Sequence, residues 1–247
     1  MVSSDKQQRR GIYLLPNLFT TAGLFAGFYA IIAAIRQDFD AAAVAIFVAM
    51  IMDGLDGRIA RMTNTQSAFG AEYDSLSDMV AFGLAPALVV FLWALLDMGK
   101  FGCMIAFIYA ACGALRLARF NTQIGTADKR YFQGLPSPAA AACVAGWVWL
   151  GTDRGFDPAV ISNVAVPITF FAAILMVSSM RYYSFKELDL KNRVPFIKML
   201  ALVLIFALIA NDPPLVLFAA FLVYAISGPV FTLVKLRQHR SERTTGK

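Results

Sequence analysis

The chain has 247 residues, of which 59% are hydrophobic and only 15% are charged, and its mean hydropathy is +0.63. Soluble domains carry about a quarter charged residues, so this composition excludes an ordinary soluble protein and favours one that crosses a membrane several times. The formal net charge of +6 would also suit a protein that binds nucleic acid. The positions of the charges along the chain decide between these two interpretations.

The apolar segments follow one another as in a bundle of membrane helices, where each helix needs about 20 apolar residues to cross the hydrocarbon. In chain order the predicted spans are residues 14–35, 39–60, 73–96, 101–120, 137–151, 160–180, 196–210 and 214–234. Several spans have a proline near their start, where a missing backbone N–H is tolerated. The predicted fold class is all-α: a polytopic bundle of about eight transmembrane helices that forms a single domain over residues 1–247.

Lysine and arginine residues are divided very unevenly between the two sides that these spans define. Nineteen of the 22 fall on the side that holds both termini, and the other side holds only Arg36, Lys100 and Arg154. Membrane proteins concentrate basic residues in short cytoplasmic segments, so both termini are predicted to be cytoplasmic. This topology, together with attraction to anionic membrane lipids, accounts for the basic charge and argues against nucleic acid as a partner.

Acidic residues are concentrated at the cytoplasmic ends of the second and third predicted spans. Asp53 and Asp56 are three residues apart and Asp74 and Asp78 are four apart, so each pair lies on one face of a helix. Two antiparallel helices joined by a short polar loop would direct all four carboxylates to one point. Carboxylates so close together need positive charge among them, and oxygen ligands without histidine or cysteine suit Mg²⁺, Mn²⁺ or Ca²⁺ rather than zinc. Two such ions could bind a pyrophosphate.

Three more residues on the second span fit a phosphate-bearing ligand. Gly57 and Ala60 are small enough to let a bulky group approach the backbone, and Arg61 offers a cation to phosphate oxygens. Two other interpretations stay open at this point. The charges could be solvated helix ends and membrane anchors, or the carboxylates could line the ion pathway of a divalent-cation transporter. A transporter does not need Gly57, Ala60 and Arg61 on the same face.

These residues resemble, without a gap, the signature of the CDP-alcohol phosphotransferase family: Asp53-x2-Asp56-Gly57-x2-Ala60-Arg61-x8-Gly70-x3-Asp74-x3-Asp78. The resemblance implies an integral-membrane enzyme that moves a phosphatidyl group from CDP-diacylglycerol to a small alcohol and releases CMP. It also implies a homodimer in which the four aspartates hold two Mg²⁺ or Mn²⁺ ions and Asp78 is the general base. The resemblance assigns binding of CDP-diacylglycerol to Asn17, Thr20, Gly57, Ala60, Arg61 and Ser67. Asn17 and Thr20 could equally serve to cap the start of a helix.

Residues 70–87, 114–121 and 131–142 further resemble the bacterial branch of this family whose acceptor alcohol is L-serine. That branch resides in the cytoplasmic membrane, and the resemblance implies an active site that faces the cytoplasm. The remaining spans match it only in being hydrophobic. Acceptors that stay open are glycerol 3-phosphate, inositol phosphate and choline. A phosphorylated acceptor calls for a denser basic pocket, and choline calls for an aromatic cage.

An amino-acid acceptor carries a carboxylate, for which a fixed cation near the acidic cluster is expected. Arg116 and Arg119 lie one helical turn apart on the cytoplasmic side, and either could pair with that carboxylate or simply anchor the helix at the membrane surface. Glu72 could contact the ammonium group of the acceptor or cap the third helix, where a negative charge suits the helix dipole, and the cap is the favoured interpretation. Gly134, Pro136 and Pro138 predict a tight or re-entrant turn that shapes the acceptor pocket.

Overall fold

The computed structural model describes residues 14–63, 65–122, 131–183 and 196–245. Helices make up nearly all of these residues, in the order α1 (Leu14–Ile35), α2 (Phe39–Met62), α3 (Ala68–Met98), α4 (Lys100–Thr122), α5 (Ser137–Arg154), α6 (Pro158–Val177), α7 (Phe196–Asn211) and α8 (Pro213–Thr245). Two short strands, β1 (Tyr131–Gln133) and β2 (Arg181–Tyr183), flank α5 and α6. Several basic residues behind the predicted topology lie outside the described residues: Lys6, Arg9, Arg10, Lys129, Arg130, Lys186, Lys191, Arg193 and Lys247.

The helices fall where the apolar segments predict them, and five are long and apolar enough to cross a membrane: α1, α3, α4, α6 and α8. Large apolar side chains such as Phe28, Phe107 and Phe171 lie on the outer surface of the bundle. A soluble protein rarely exposes so much apolar surface, whereas the hydrocarbon of a bilayer requires it. The all-α membrane fold class is therefore confirmed. Helix α3 begins at Ala68, five residues before the predicted start of its span.

Helix α3 is not a regular α-helix, because it contains π-helical turns at Met79–Leu84 and Phe91–Leu95. Pro86 follows the first of these turns and has no backbone N–H to donate to the carbonyl of Phe82. The hydroxyl of Tyr109 on α4 donates to that carbonyl over 3.1 Å instead. The first irregular turn begins directly after Asp78, so it sets the direction in which α3 leaves the acidic cluster.

Helix α5 lies at the centre of the bundle and packs against α2, α3, α6 and α8. Its side chains are mostly small, and Ala139–Ala142 are all buried. Small side chains let neighbouring membrane helices approach closely, which is how such helices gain packing energy without a hydrophobic driving force. The alanine-rich sequence of α5 thus explains why it occupies the interior, while α7, which packs mainly on α8, faces outward.

Helix α1 contacts α3 at Gly27, which lies against Ala81, three residues after Asp78. A Cβ atom at Gly27 would lie 2.6 Å from the Cα of Ala81 and 2.9 Å from its Cβ. The backbones of α1 and α3 are therefore in direct contact at this point, and only glycine allows it. This contact fixes α1 beside the acidic cluster.

We expect Gly27→Ala to destabilise the protein by about 1–3 kcal/mol, because the added methyl group must push two packed helices apart. Thermal unfolding in detergent would measure the change. Gly54→Ala is the matched control, since a Cβ at Gly54 meets nothing within 4 Å. Alanine is the better helix former, so the control should unfold at the same temperature or slightly higher. Equal destabilisation by both substitutions would contradict the proposed helix contact.

The two strands form an antiparallel pair that the sequence analysis did not predict, with Phe132 opposite Tyr182. Gly134 follows β1 with φ of +78°, and a Cβ there would lie only 2.3 Å from the carbonyl oxygen of Met176. The backbone N–H of Gly134 donates to the carbonyl of Met180, and that of Leu135 donates to the carbonyl of Leu175. The predicted tight turn is therefore present, and hydrogen bonds join it to the end of α6 and to the residues that follow it.

Two turns predicted on the extracytoplasmic side meet at one end of the bundle. Arg154 at the end of α5 donates a hydrogen bond to the carboxylate of Asp212, which precedes α8. The aspartates of the predicted metal cluster lie near the opposite end of their helices. The ion pair of Arg154 and Asp212 and the acidic cluster therefore lie at opposite ends of the bundle.

Candidate active site

Three aspartates from two helices converge at the end of the bundle formed by the end of α2 and the start of α3. Asp53, Asp56 and Asp74 each place a carboxylate oxygen within 4.8 Å of the other two. Asp78 lines the same narrow cleft, together with Thr20 and other residues of α1, α2 and α3. The helical spacings thus bring all four predicted aspartates to one cleft, with three of them in a tight group.

The most buried aspartate of the cluster is held in place by α1. Asp56 is only 5% exposed, and its Oδ2 accepts a hydrogen bond of 2.7 Å from the hydroxyl of Thr20. The hydroxyl of Ser77 on α3 donates in turn to the backbone carbonyl of Thr20 over 3.1 Å. A buried carboxylate needs such partners. Helix α1 therefore fixes the geometry of the cluster, and Thr20 lies against a carboxylate rather than at the rim of the site.

Asp78 lies between the other acids and a cation. It interacts electrostatically with Asp53, Asp74 and Asp56, and with Arg116 of α4. Asp78 therefore lies where the acidic cluster meets α4.

The residues assigned to the nucleotide surround the cluster at the helix ends. Asn17 lies beside the signature glycine, since its Oδ1 would be 3.6 Å from a Cβ at Gly70. Arg61 is exposed, and its Nη1 would be 3.5 Å from a Cβ at Gly57. Ala60 is partly exposed on the same helix end. This surface is therefore open to a ligand and carries a cation.

Ser67 is the N-cap of α3, and its hydroxyl accepts a hydrogen bond of 3.0 Å from the backbone N–H of Gly70. The interpretation of Glu72 as the cap is wrong, because Glu72 lies beyond the first turn of the helix that Ser67 begins. A serine three residues before an N–H donor is the usual capping arrangement. The exposed side chain of Ser67 nonetheless lies at the same helix end as Asn17 and Gly70.

The two arginines of α4 have different surroundings. Arg116 donates from Nη1 to the hydroxyl of Ser137 over 2.7 Å and interacts electrostatically with Asp78. Arg119 donates from Nη1 to the carbonyl of Val177 over 3.1 Å, at the end of α6. A cation is favourable at a helix C-terminus, so Arg119 has a structural partner there. Only Arg116 of the two is placed beside the acidic cluster by these contacts.

Several hydrogen bonds at the site join side chains that no sequence pattern predicts to be close. The hydroxyl of Tyr73 lies 2.9 Å from that of Thr21, which ties α3 to α1, and Ser75 donates to Asn121 of α4 over 3.1 Å. Ser137, which accepts from Arg116, is a further example. None of these pairs is close in sequence, so helical spacing alone gives no signal for them.

The donor set fits hard divalent cations. Three carboxylates within 4.8 Å of one another offer only oxygen atoms, and one of them is buried and oriented by Thr20. Oxygen donors of this kind are the ligands of Mg²⁺, Mn²⁺ and Ca²⁺. Bringing these carboxylates together without a cation would be unfavourable, which is the physical reason to expect one.

Together the fold and the site define an integral-membrane protein that carries an aspartate cluster at one end of a helical bundle. The sequence matches the CDP-alcohol phosphatidyltransferase family over residues 13–233. The chain therefore belongs to this family, and the resemblance seen in the signature is confirmed. Membership makes the protein a membrane-bound transferase of phosphatidyl groups to an alcohol, as predicted.

Its relatives include the CDP-diacylglycerol–serine O-phosphatidyltransferase of Helicobacter pylori strain J99. The two sequences are 38% identical over 229 residues, which cover 91% of this chain and 94% of the relative. The protein of the same name from Mycobacterium tuberculosis strain H37Rv is 42% identical over 155 residues, 60% of this chain and 54% of the relative. The archaetidylserine synthase of Methanothermobacter thermautotrophicus is 33% identical over 170 residues, 68% of this chain and 69% of the relative. The similarity to the H. pylori protein thus extends beyond residues 70–87, 114–121 and 131–142.

Proposed function

We propose that the protein transfers the phosphatidyl group of CDP-diacylglycerol to the hydroxyl of L-serine, giving phosphatidylserine and CMP. The observation that carries this proposal is the cluster of Asp53, Asp56 and Asp74 in a chain of this family, with Arg116 among the groups that interact electrostatically with Asp78 of the same cleft. A family member needs a carboxylate-lined site for the pyrophosphate, and an amino-acid acceptor adds the need for a nearby cation. The names of the relatives from H. pylori and M. tuberculosis support the same acceptor.

CDP-diacylglycerol is proposed to bind across the ends of α1, α2 and α3, with its acyl chains between helices in the bilayer. Asn17, Thr20, Gly57, Ala60, Arg61 and Ser67 are the residues assigned to its CDP group. Arg61 pairs with phosphate oxygens, and Gly57 and Ala60 leave room for the group to approach α2. Thr20 acts on the nucleotide site through the carboxylate of Asp56, to which it donates.

Asp53, Asp56, Asp74 and Asp78 are proposed to hold two Mg²⁺ or Mn²⁺ ions. When bound, such ions supply positive charge that neutralises the pyrophosphate and makes CMP a better leaving group. The chain itself supplies the acid–base chemistry. Asp78 accepts the proton of the serine hydroxyl, whose oxygen then forms a bond to the phosphorus that bears diacylglycerol. The bond from that phosphorus to the oxygen of CMP breaks, so the displacement is direct.

The serine carboxylate is proposed to pair with Arg116. Arg119 was an equal candidate from sequence, but its guanidinium donates to the carbonyl of Val177. Pairing with Arg116 places the serine hydroxyl on the side of Asp78, with which Arg116 interacts. Orientation of this kind converts a flexible acceptor into one that is aligned for attack.

In the membrane, we propose eight crossings with both termini and the active site on the cytoplasmic side of a bacterial inner membrane. The uneven distribution of lysine and arginine supports this orientation. A single catalytic domain that forms a homodimer is part of the same proposal. The acidic cluster then lies at the membrane rim, where charge is far less unfavourable than at the bilayer centre.

An acceptor panel tests the proposal. The assay uses purified protein in detergent with labelled CDP-diacylglycerol and Mn²⁺. The rate of CMP release with L-serine should be at least about a hundredfold above the rate with glycerol 3-phosphate, inositol phosphate or choline. An acceptor that fails to fill a polar site leaves charged groups unpaired, which is the reason for this difference. Equal release with serine and glycerol 3-phosphate would show that the acceptor is wrong. The rival function, a divalent-cation transporter, predicts metal uptake into liposomes without CDP-diacylglycerol and no CMP release with any acceptor.

A further inference from the structure

Arg116 is held by a neutral partner while one of its donors stays unused. Its Nη1 donates to the hydroxyl of Ser137 over 2.7 Å. Its Nε is buried and has no hydrogen-bond partner among the described residues, although the residue as a whole is partly exposed. Buried donors are almost always paired, because leaving one unpaired is unfavourable. The guanidinium is therefore held through Nη1 by Ser137, while Nε lies inside the protein without a hydrogen-bond partner among the described residues.

Other arginines of the described chain are used differently. Arg154 donates to the carboxylate of Asp212, which neutralises its charge. Arg119 donates to a backbone carbonyl at the end of α6. Ser137, in contrast, offers Arg116 a hydroxyl that holds the guanidinium without carrying a negative charge. The hydroxyl of Ser137 therefore orients the positive charge of Arg116 without neutralising it.

Ser137 is itself held firmly. It is 1% exposed and is the first residue of α5, directly after Pro136. The turn before it is held by hydrogen bonds from Gly134 to the carbonyl of Met180 and from Leu135 to the carbonyl of Leu175 on α6. A side chain on so rigid a support orients its partner more accurately than one on a free loop.

We infer that Ser137 is a positioning residue for the acceptor, which acts by fixing Arg116 so that the guanidinium meets the acceptor carboxylate. The inference rests on the proposed function, since it needs an acceptor that carries a carboxylate. An arginine side chain has several rotatable bonds, and holding it in one orientation before the ligand arrives removes part of the entropy loss of binding. Ser137 thus affects how tightly the acceptor binds, and it does not take part in the transfer step.

Steady-state kinetics with purified full-length variants test the inference. Ser137→Ala should raise KM for L-serine about tenfold, the effect typical of losing one hydrogen bond to a charged group. The kcat and the KM for CDP-diacylglycerol should stay within about twofold of wild type, and Ser137→Thr should restore the KM for L-serine. Ser162→Ala is the matched control, because it removes a partly buried hydrogen bond of 2.8 Å to the carbonyl of Ala94 on α3 and should leave KM for L-serine unchanged.

A double-mutant cycle separates positioning from packing. In an Arg116→Lys background the further change Ser137→Ala should add little to KM for L-serine, because the hydrogen-bonded pair is already broken. The inference is overturned if Ser137→Ala changes both KM values and kcat together, if it matches Ser162→Ala, or if its effect persists in the Arg116→Lys background. Failure of the proposed function looks different, since wild-type protein would then turn over no L-serine at all.

Discussion

Replacing Asp78 by asparagine should reduce turnover by about a hundred- to ten-thousandfold, the range expected for the loss of a general base. Asparagine keeps the shape of the side chain but cannot accept the proton of the serine hydroxyl. The other three aspartates remain in place, so binding of CDP-diacylglycerol should change little. The rate of CMP release and the affinity for CDP-diacylglycerol, measured on the same preparation, check both statements.

The same helix offers a control for Asp78→Asn. Glu72 lies near the start of α3, is exposed, and is not among the residues that line the cleft. Glu72→Gln therefore removes one negative charge from α3 without touching the proposed base, and turnover should stay close to that of wild type. Near-normal activity of Asp78→Asn would exclude Asp78 as the base. Loss of lipid binding along with activity would instead assign Asp78 a role in binding.

The second large effect is expected at the tight group of three aspartates. Asp53→Asn should lower turnover by about a hundredfold or more, because a divalent ion contributes several kcal/mol of charge stabilisation and this substitution weakens its site. Unlike Asp78→Asn, it should also weaken binding of CDP-diacylglycerol, whose pyrophosphate needs the positive charge. Turnover measured over a titration of Mn²⁺ should show a higher metal requirement in the variant.

Asp97→Asn is the matched control, since Asp97 lies on α3 at the end far from the cluster. It should match wild type in turnover and in metal requirement. Wild-type protein treated with EDTA should lose activity and regain it with Mg²⁺ or Mn²⁺. Full activity after complete removal of divalent ions would contradict the assignment of the cluster as a metal site.

Much of this architecture follows from local sequence patterns. Apolar segments of about 20 residues are sufficient to place membrane helices. The spacing of Asp53 and Asp56 predicts one helix face, and the polar loop that follows predicts a turn back toward Asp74. The sequence alone is therefore sufficient to predict the cluster, because its geometry depends mainly on two adjacent helices.

Other features depend on contacts between residues far apart in sequence, and no local pattern predicts them. Thr20 donates to Asp56 because α1 packs beside α2, and Ser137 reaches Arg116 because α5 begins beside α4. Pro86 predicts a missing hydrogen bond at the carbonyl of Phe82, but the hydroxyl of Tyr109 that donates to this carbonyl comes from α4. The paired strands were missed because segments of three residues are too short to show alternation.

The cap of α3 illustrates a limit of charge-based interpretation. A negative charge near a helix start is favourable, which made Glu72 a reasonable candidate. The hydrogen bond from the backbone N–H of Gly70 to Ser67 is more specific than that general attraction and defines where α3 begins. Ser67 lies at a variable position of the signature, between Arg61 and Gly70. Its role as the N-cap of α3 cannot be predicted from the spacing of the acidic residues.

The most direct test of the central claim is to count two products at once. Purified protein with Mn²⁺, CDP-diacylglycerol and labelled L-serine should place one label in the chloroform-soluble lipid for each CMP released. The Asp78→Asn variant should lower both products by the same factor. Release of CMP without label in the lipid would mean hydrolysis or another acceptor, and it would contradict the account of Asp78 and Arg116 as groups that act on serine.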